Sequence, residues 1–514
     1  MIIDRTWNKK EQKLIISYID KQGNRQFFQK YLHHIKTYEY DKDGDIDTWN
    51  GKKARKVFKD TSSYTPNEFD ILEFMYELDE DTNKSLHANY FPKLYTFDIE
   101  TEVCDVFPDP TLAEQKVTAI SIVGPDLSCI VYGLHNLSQE SIDLFKERYL
   151  NWLSENEFAS LLIKNKKLQP KVLYQYFETE EEMLKRFFTV IIPKISCLAG
   201  WNSYNFDWRY LTNRLKKIFS ASEAYNILKK SSPTGELTSI RFQINSGLHE
   251  NVQAPAHSII LDYMELVKQY DYSLRPYESY SLDWVGEHAV KANKIKYQGT
   301  LQQLYERDPE WYYFYNAVDS LIVMLIHNKL KCLESVCSVS SVTLVPLLKA
   351  MGQVALTTAN VFSEFYMDDK HVVWDYDAVE RYKVNYEGAF CGCVPGRYEW
   401  NVCDDFASLY PSQVQTCNLS FENFMQPPLI GPDSLGRYTA GEWTEEQLEE
   451  FKKDKNYFVS VNGNVYRNDK DYAFKKMQRR VKKMRDKYKY TGQKIDSELI
   501  TEIDRLIAEK EKAA

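Results

Sequence analysis

Two carboxylates one residue apart stand in an otherwise apolar stretch, Leu94-Tyr-Thr-Phe-Asp-Ile-Glu-Thr101. Side chains two apart on an extended strand share a face, so Asp98 and Glu100 point together while Phe97 and Ile99 turn to a core. Paired carboxylates repel and are costly to bury, and oxygen ligands of this kind suit Mg²⁺ or Mn²⁺. A solvated strand edge is the alternative reading. A third acid, Asp207, closes Leu198-Ala-Gly-Trp-Asn-Ser-Tyr-Asn-Phe-Asp207, where an apolar strand ends in Gly-Trp-Asn and a helix over 208–215 begins. There it could serve a site at a strand end or simply cap the helix. In Tyr315-Asn-Ala-Val-Asp319 the helical spacing of four puts Tyr315 and Asp319 on one face, either in a cleft or as a packed tyrosine beside a surface aspartate. Together these groups could perform divalent-metal chemistry.

The elements that must position them alternate. Short apolar strands are expected over 94–99, 117–123, 195–199 and 258–262, separated by amphipathic helices such as 180–192, which is an α/β pattern. A chain of 514 residues exceeds one compact core, so several domains are expected. Residues 1–91 read as a small mixed amino-terminal domain, with alternation in Lys13–Ile19 and turns at Asp43-Gly44 and Asn50-Gly51; the helical stretch 331–375 joins it. Residues 92–330 form the α/β domain, 376–465 a new strand-rich unit with a capped helix beginning at Thr444, and 466–514 a basic helical hairpin broken near Thr491-Gly492. Apolar residues at 43% and charged residues at 27% are ordinary globular usage and exclude disordered and fibrous classes. No signal sequence or long apolar run is seen, so a soluble, intracellular protein without a membrane partner is expected. Nine scattered cysteines without a CxxC pair argue against disulfides and a zinc site. The net charge is −9, yet 474–494 carries ten Lys or Arg against one acid, a concentrated cationic helix.

The order and spacing of the three acidic segments resemble the proofreading exonuclease of family B DNA polymerases, a ribonuclease H-like α/β domain. The resemblance implies that Asp98, Glu100, Asp207 and Asp319 hold two Mg²⁺ or Mn²⁺ ions that support in-line attack of water on a terminal phosphodiester, with Tyr315 orienting the water. Asn202 and Phe206 would guide a single-stranded primer end. The stretch 239–257 would form the hairpin that separates primer from template in phage relatives.

Asn401-Val-Cys-Asp-Asp-Phe-Ala-Ser-Leu-Tyr-Pro-Ser412 resembles the first polymerase motif of the same family. It implies that Asp405 is a catalytic metal ligand, that the backbone of Phe406 and of Ser408, Leu409 and Tyr410 lines metals and triphosphate, and that Tyr410 lies under the sugar. Tyr386 and Gly388, in Tyr386-Glu-Gly-Ala389, resemble the element that touches the template strand. Arg479 and Lys483, one helical turn apart, suit nucleotide phosphates or a solvated charge run. The family's later fingers motif and its Asp-Thr-Asp motif have no counterpart here. The expectation is therefore the amino-terminal portion of a DNA-directed DNA polymerase: an exonuclease with partial palm and fingers, unable to polymerise alone. Either a second chain completes the site and its ions, the favoured reading, or the gene product is truncated; primer-template, single-stranded DNA, dNTP and a sliding clamp are the further partners. The style is that of T4-type bacteriophage enzymes, which places it in the cytoplasm of an infected bacterium. A stand-alone 3′→5′ exonuclease and a non-enzymatic nucleic-acid-binding protein are the alternatives.

Overall fold

Alternation in Leu94–Thr101 produces a strand in which Phe97 and Ile99 are buried while Asp98 and Glu100 are half-buried on the other face. The computed structural model describes residues 1–102, 108–244, 247–373, 392–400, 409–425, 427, 429–430 and 439–491. These group by packing into two units, one containing 1–32 and 78–356, the other 33–77 and 357–491. The division runs through the stretch read from sequence as one amino-terminal domain. Its first strands, Ile2–Asn8, Lys13–Ile19 and Arg25–Tyr31, form an antiparallel sheet in the first unit. Arg25 fastens them there, donating to the carbonyls of Pro193, Ile195 (3.1 Å) and His257 (3.0 Å) and to Ser258 Oγ (2.8 Å).

The first unit is built on a mixed six-stranded sheet in the order Val172–Tyr176, Cys129–Gly133, Val117–Val123, Leu94–Thr101, Cys197–Gly200, Ile259–Asp262. Val117–Val123 runs antiparallel to both neighbours, and the other pairings are parallel. Every residue of Val117–Val123 is buried, as expected of a strand covered on both faces. One cover is an aromatic core in which Phe97, Phe187, Phe188 and Trp208 meet. The other is the Pro309–Leu330 helix, apolar almost all round and therefore buried. Small hydroxyls let it lie close to the sheet. Ser121 Oγ donates to Asn316 O at 2.8 Å and meets Ser320 Oγ at 2.7 Å, while Thr96 Oγ1 donates to Ser320 O at 2.7 Å.

The helix expected over 180–192 is interrupted. It is α-helical over Glu180–Arg186, widens to a π turn over Phe187–Ile191 and tightens over Ile192–Lys194, where Pro193 has no N–H to continue the ladder. Where a hairpin is expected over 239–257, Leu237–Gln243 pairs antiparallel with His249–Pro255. The helical pattern of 331–375 appears as Cys332–Thr343, Leu347–Ala350 and Gln353–Met367. Among the described residues no helix is long and apolar enough to cross a membrane.

In the second unit, His34–Tyr40, Lys53–Asp60 and Ile46–Asp47 form a sheet, and a helix over Glu68–Tyr76 begins in a capping box from Asn67. Thr444 and Gln447 form a capping box at the head of Glu445–Lys453, as their spacing predicts. The cationic stretch is helical over Ala473–Thr491, and the expected second arm of its hairpin lies outside the described residues.

Candidate metal centre

Carboxylate oxygens of Asp98, Glu100 and Asp319 lie within 4.8 Å of one another. The first two come from the central strand, the third from the helix packed across it. Asp207, the first residue of Asp207–Ile218, approaches the same strand, its Oδ1 accepting from the Ile99 amide at 3.3 Å. Two further side chains hold the set. Asn316 Nδ2 donates to Asp98 Oδ2 at 2.8 Å, and Lys294 Nζ donates to Asp319 Oδ2 at 2.5 Å. Lys294 also lies over the Tyr315 ring at 5.6 Å and is anchored by its amide to Asp283 Oδ1 at 2.8 Å. Tyr297 meets Tyr315 edge-on, with ring centroids 5.4 Å apart.

Burial, reinforced by the neighbouring carboxylates, pushes Asp98 well above the usual carboxyl range and Glu100 up to about 8. Burial likewise pushes Asp207 up to about 7 and raises Asp319 even against the attraction of Lys294. Burial works against the Lys294 ammonium, but Asp319, Tyr315 and Asp98 hold it above its usual range. Four carboxyls that burial and mutual repulsion hold back from ionising, with a single ammonium among them, would ionise readily only beside a cation. Asp319 Oδ1 and Asn316 Oδ1 are buried without a hydrogen-bond partner. A surplus of oxygen acceptors with unsatisfied lone pairs fits a hard divalent cation such as Mg²⁺.

The shifts have a thermal consequence. In the unfolded chain Glu100 and Asp207 ionise near ordinary carboxyl values, so the metal-free folded state holds more protons than the unfolded state up to about pH 8. Their contribution is full below the ordinary carboxyl pKa and is lost as pH rises through about 7 and 8. The melting temperature of metal-stripped protein should fall from about pH 6 to 9, and Mg²⁺ should raise it more at the upper end. A Mg²⁺ increment that is the same at both pH values would show that these carboxyls do not titrate together with the site.

Of the other residues singled out from sequence, Asn202 and Phe206 lie in the loop that leads to Asp207. Asn202 is left-handed at φ 60°, and the ring of Phe206 lies 5.6 Å from that of Tyr210. Leu409 and Tyr410 open the Leu409–Thr416 helix and are exposed. Arg479 and Lys483 are exposed on the basic helix, with Arg479 paired to Asp471. Tyr386, Gly388, Asp405, Phe406 and Ser408 lie outside the described residues. Sequence reasoning missed Lys294 and Asn316. Lys294 sits in a loop without periodicity, whereas Asn316, three residues before Asp319 in a helix, carried a signal that was available.

The fold and the cluster define an α/β domain equipped to bind divalent cations. Its lineage is specific: the chain belongs to DNA polymerase family B, whose exonuclease-domain model matches residues 16–285. The match includes Asp98, Glu100 and Asp207 and stops short of Lys294, Tyr315 and Asp319, which the fold brings to the same place. The chain is 27% identical over 404 residues to the DNA-directed DNA polymerase of Escherichia phage RB69, covering 77% of this chain and 41% of that protein. Against the DNA-directed DNA polymerase of Enterobacteria phage T4 it is 27% identical over 382 residues, 73% of this chain and 40% of that one. The DNA polymerase catalytic subunit of Epstein-Barr virus (strain B95-8) is 27% identical over 264 residues, 49% and 25% of the two chains. The chain thus spans about two fifths of the length of its phage relatives.

Proposed function

We propose that this chain removes nucleotides from the 3′ end of single-stranded DNA, as the proofreading exonuclease of a replicative family B polymerase with a ribonuclease H-like exonuclease domain. The observation that carries the reading is the convergence of Asp98, Glu100 and Asp319 within 4.8 Å, with Asp207 reaching the same strand from the head of its helix by accepting from the Ile99 amide. These four residues would hold two divalent ions, which supply an activated water and neutralise charge during in-line displacement at phosphorus. The chain's own groups do the positioning. Asn316 fixes the Asp98 carboxylate, Lys294 fixes that of Asp319, and the Tyr315 hydroxyl beside Asp319 orients the attacking water. Asn202 and Phe206 steer the DNA end by hydrogen bonding and stacking.

Nucleotide addition is proposed for the same lineage. It would use Asp405, Phe406 and the Ser408-Leu409-Tyr410 backbone in the palm, with Arg479 and Lys483 toward the triphosphate. The motif string at 401–412 and the similarity to phage polymerases support this reading.

The direct test is a 5′-labelled single-stranded oligonucleotide incubated with purified protein. Stepwise loss from the 3′ end with Mg²⁺ or Mn²⁺, abolished by chelation, is the expected result. Intact DNA at every concentration of either metal would overturn the exonuclease reading.

A further inference from the structure

Asp262 closes the edge strand Ile259–Asp262 and is fully buried, outside the cluster formed by Asp98, Glu100 and Asp319. Its Oδ1 accepts from the amides of Asn202 at 3.0 Å and Met264 at 3.1 Å, and its Oδ2 from that of Tyr204 at 3.3 Å. The Met264 bond is an ordinary N-cap of the Tyr263–Tyr270 helix. A cap needs only that one bond. The other two cross to the loop between Cys197–Gly200 and Asp207–Ile218, which carries Asn202 and Phe206 and ends at Asp207.

That loop holds two unusual backbone positions. Asn202 stands at φ 60°, and Phe206 at φ −128°, ψ −85° has no side-chain cap to offer the helix that follows. Such conformations persist only where the surroundings impose them. Inside the loop, the Asn202 carbonyl accepts from the amides of Asn205 and Phe206, both at 3.1 Å. The orientation of Asn202 therefore sets the turn. Its own amide is the group that Asp262 holds.

We propose that Asp262 is a positioning residue for phosphodiester hydrolysis, its two carboxylate oxygens fixing the Asn202 and Tyr204 amides and thereby placing Asn202, Phe206 and Asp207 at the carboxylate cluster. The inference rests on the exonuclease reading. Both oxygens are required. An amide in their place keeps an acceptor on one side and turns an N–H₂ against a backbone N–H on the other, so Asp262→Asn breaks at least one loop bond while conserving shape.

The test compares unaltered protein, Asp262→Asn, and Ile260→Val as a destabilising control in the same strand. Turnover on labelled single-stranded DNA at saturating Mg²⁺ is measured alongside amide hydrogen exchange of peptides covering 200–206 and 117–123. Misplacement on the scale of an ångström costs up to about 100-fold in turnover. Asp262→Asn should lose roughly 10- to 100-fold in kcat with KM changed less than about threefold, and should exchange faster at 200–206 but not at 117–123. Ile260→Val should melt earlier with kcat intact. Should the asparagine variant not fold, Asp262→Ser, which keeps a capping oxygen but lacks the second one, takes its place. Unchanged kcat in a variant with a loosened loop would overturn the proposal alone, as would a kcat loss that Ile260→Val shares. Inactivity of the unaltered protein would instead bring down the exonuclease reading, and this proposal with it.

Discussion

Replacing Asp98 and Glu100 together by alanine should reduce Mg²⁺-dependent shortening of single-stranded DNA by roughly 10³-fold or more, while the protein stays folded. The size follows from what is removed. Two of the three carboxylates that share a 4.8 Å neighbourhood disappear, leaving Asp319, already engaged by Lys294, and Asp207. No remaining pair could hold two ions in register with a phosphodiester. The fold should tolerate the change because these groups are held against their own chemistry, with carboxyl pKa values raised by burial and mutual repulsion. Asn316 Nδ2 loses its acceptor, a cost of about 1–3 kcal/mol that the relief of repulsion offsets. Initial rates at saturating Mg²⁺ and a thermal melt together decide it. Residual activity above about a tenth of the parent in a normally folded variant would remove Asp98 and Glu100 from the chemistry.

The second large effect is on stability. Arg214 donates from Nε and Nη2 to Glu180 at 2.8 and 2.7 Å, and from Nη1 to the carbonyls of Ala113 at 3.0 Å and Glu114 at 2.7 Å. Glu180 Oε1 also accepts from the Val117 amide at 2.7 Å, and both side chains are less than a tenth exposed. Arg214→Met strands a buried carboxylate and two carbonyls, which should cost about 3–5 kcal/mol. The double change Arg214→Met with Glu180→Met should recover part of that loss, because the unpaired charge is gone. Denaturant unfolding followed by circular dichroism measures both. A single-variant loss below about 1 kcal/mol would mean that water reaches the pair and screens it.

The sequence made the local half of the site legible. Period-two alternation is enough to place Asp98 and Glu100 on one face, and i to i+4 spacing is enough to pair Tyr315 with Asp319. Neither periodicity reports what arrives from elsewhere in the chain. Lys294 comes from a loop, and its role depends on where that loop is anchored by Asp283. The bonds of Asp262 to the loop leave no local signature, because they go to residues about sixty positions earlier. Domain membership was obscured for the same reason. The stretch 33–77 groups with 357–491 through tertiary pairings such as Thr48 with His371, which no local pattern encodes. The cationic run also reads differently in three dimensions. Lys475 and Arg479 are paired with Asp471, Lys476 with Asp368 and Arg480 with Glu364, so the first turns of that helix are largely neutralised, while Lys482 and Lys483 stay exposed.

The Pro309–Leu330 helix, which carries Asn316 and Asp319, is buried along most of its length and zipped to the sheet through Ser121, Ser320 and Thr96. A catalytic group on a surface loop can be retuned without disturbing the interior. Here the two are inseparable: a methyl group gained or lost under that helix shifts the carboxylate at its midpoint. If the chain proofreads, alleles that raise or lower the mutation frequency of the genome it copies should be scattered through the hydrophobic interior as well as clustered at the metal ligands. Copying fidelity would then be a trait exposed to variation at residues that never touch DNA.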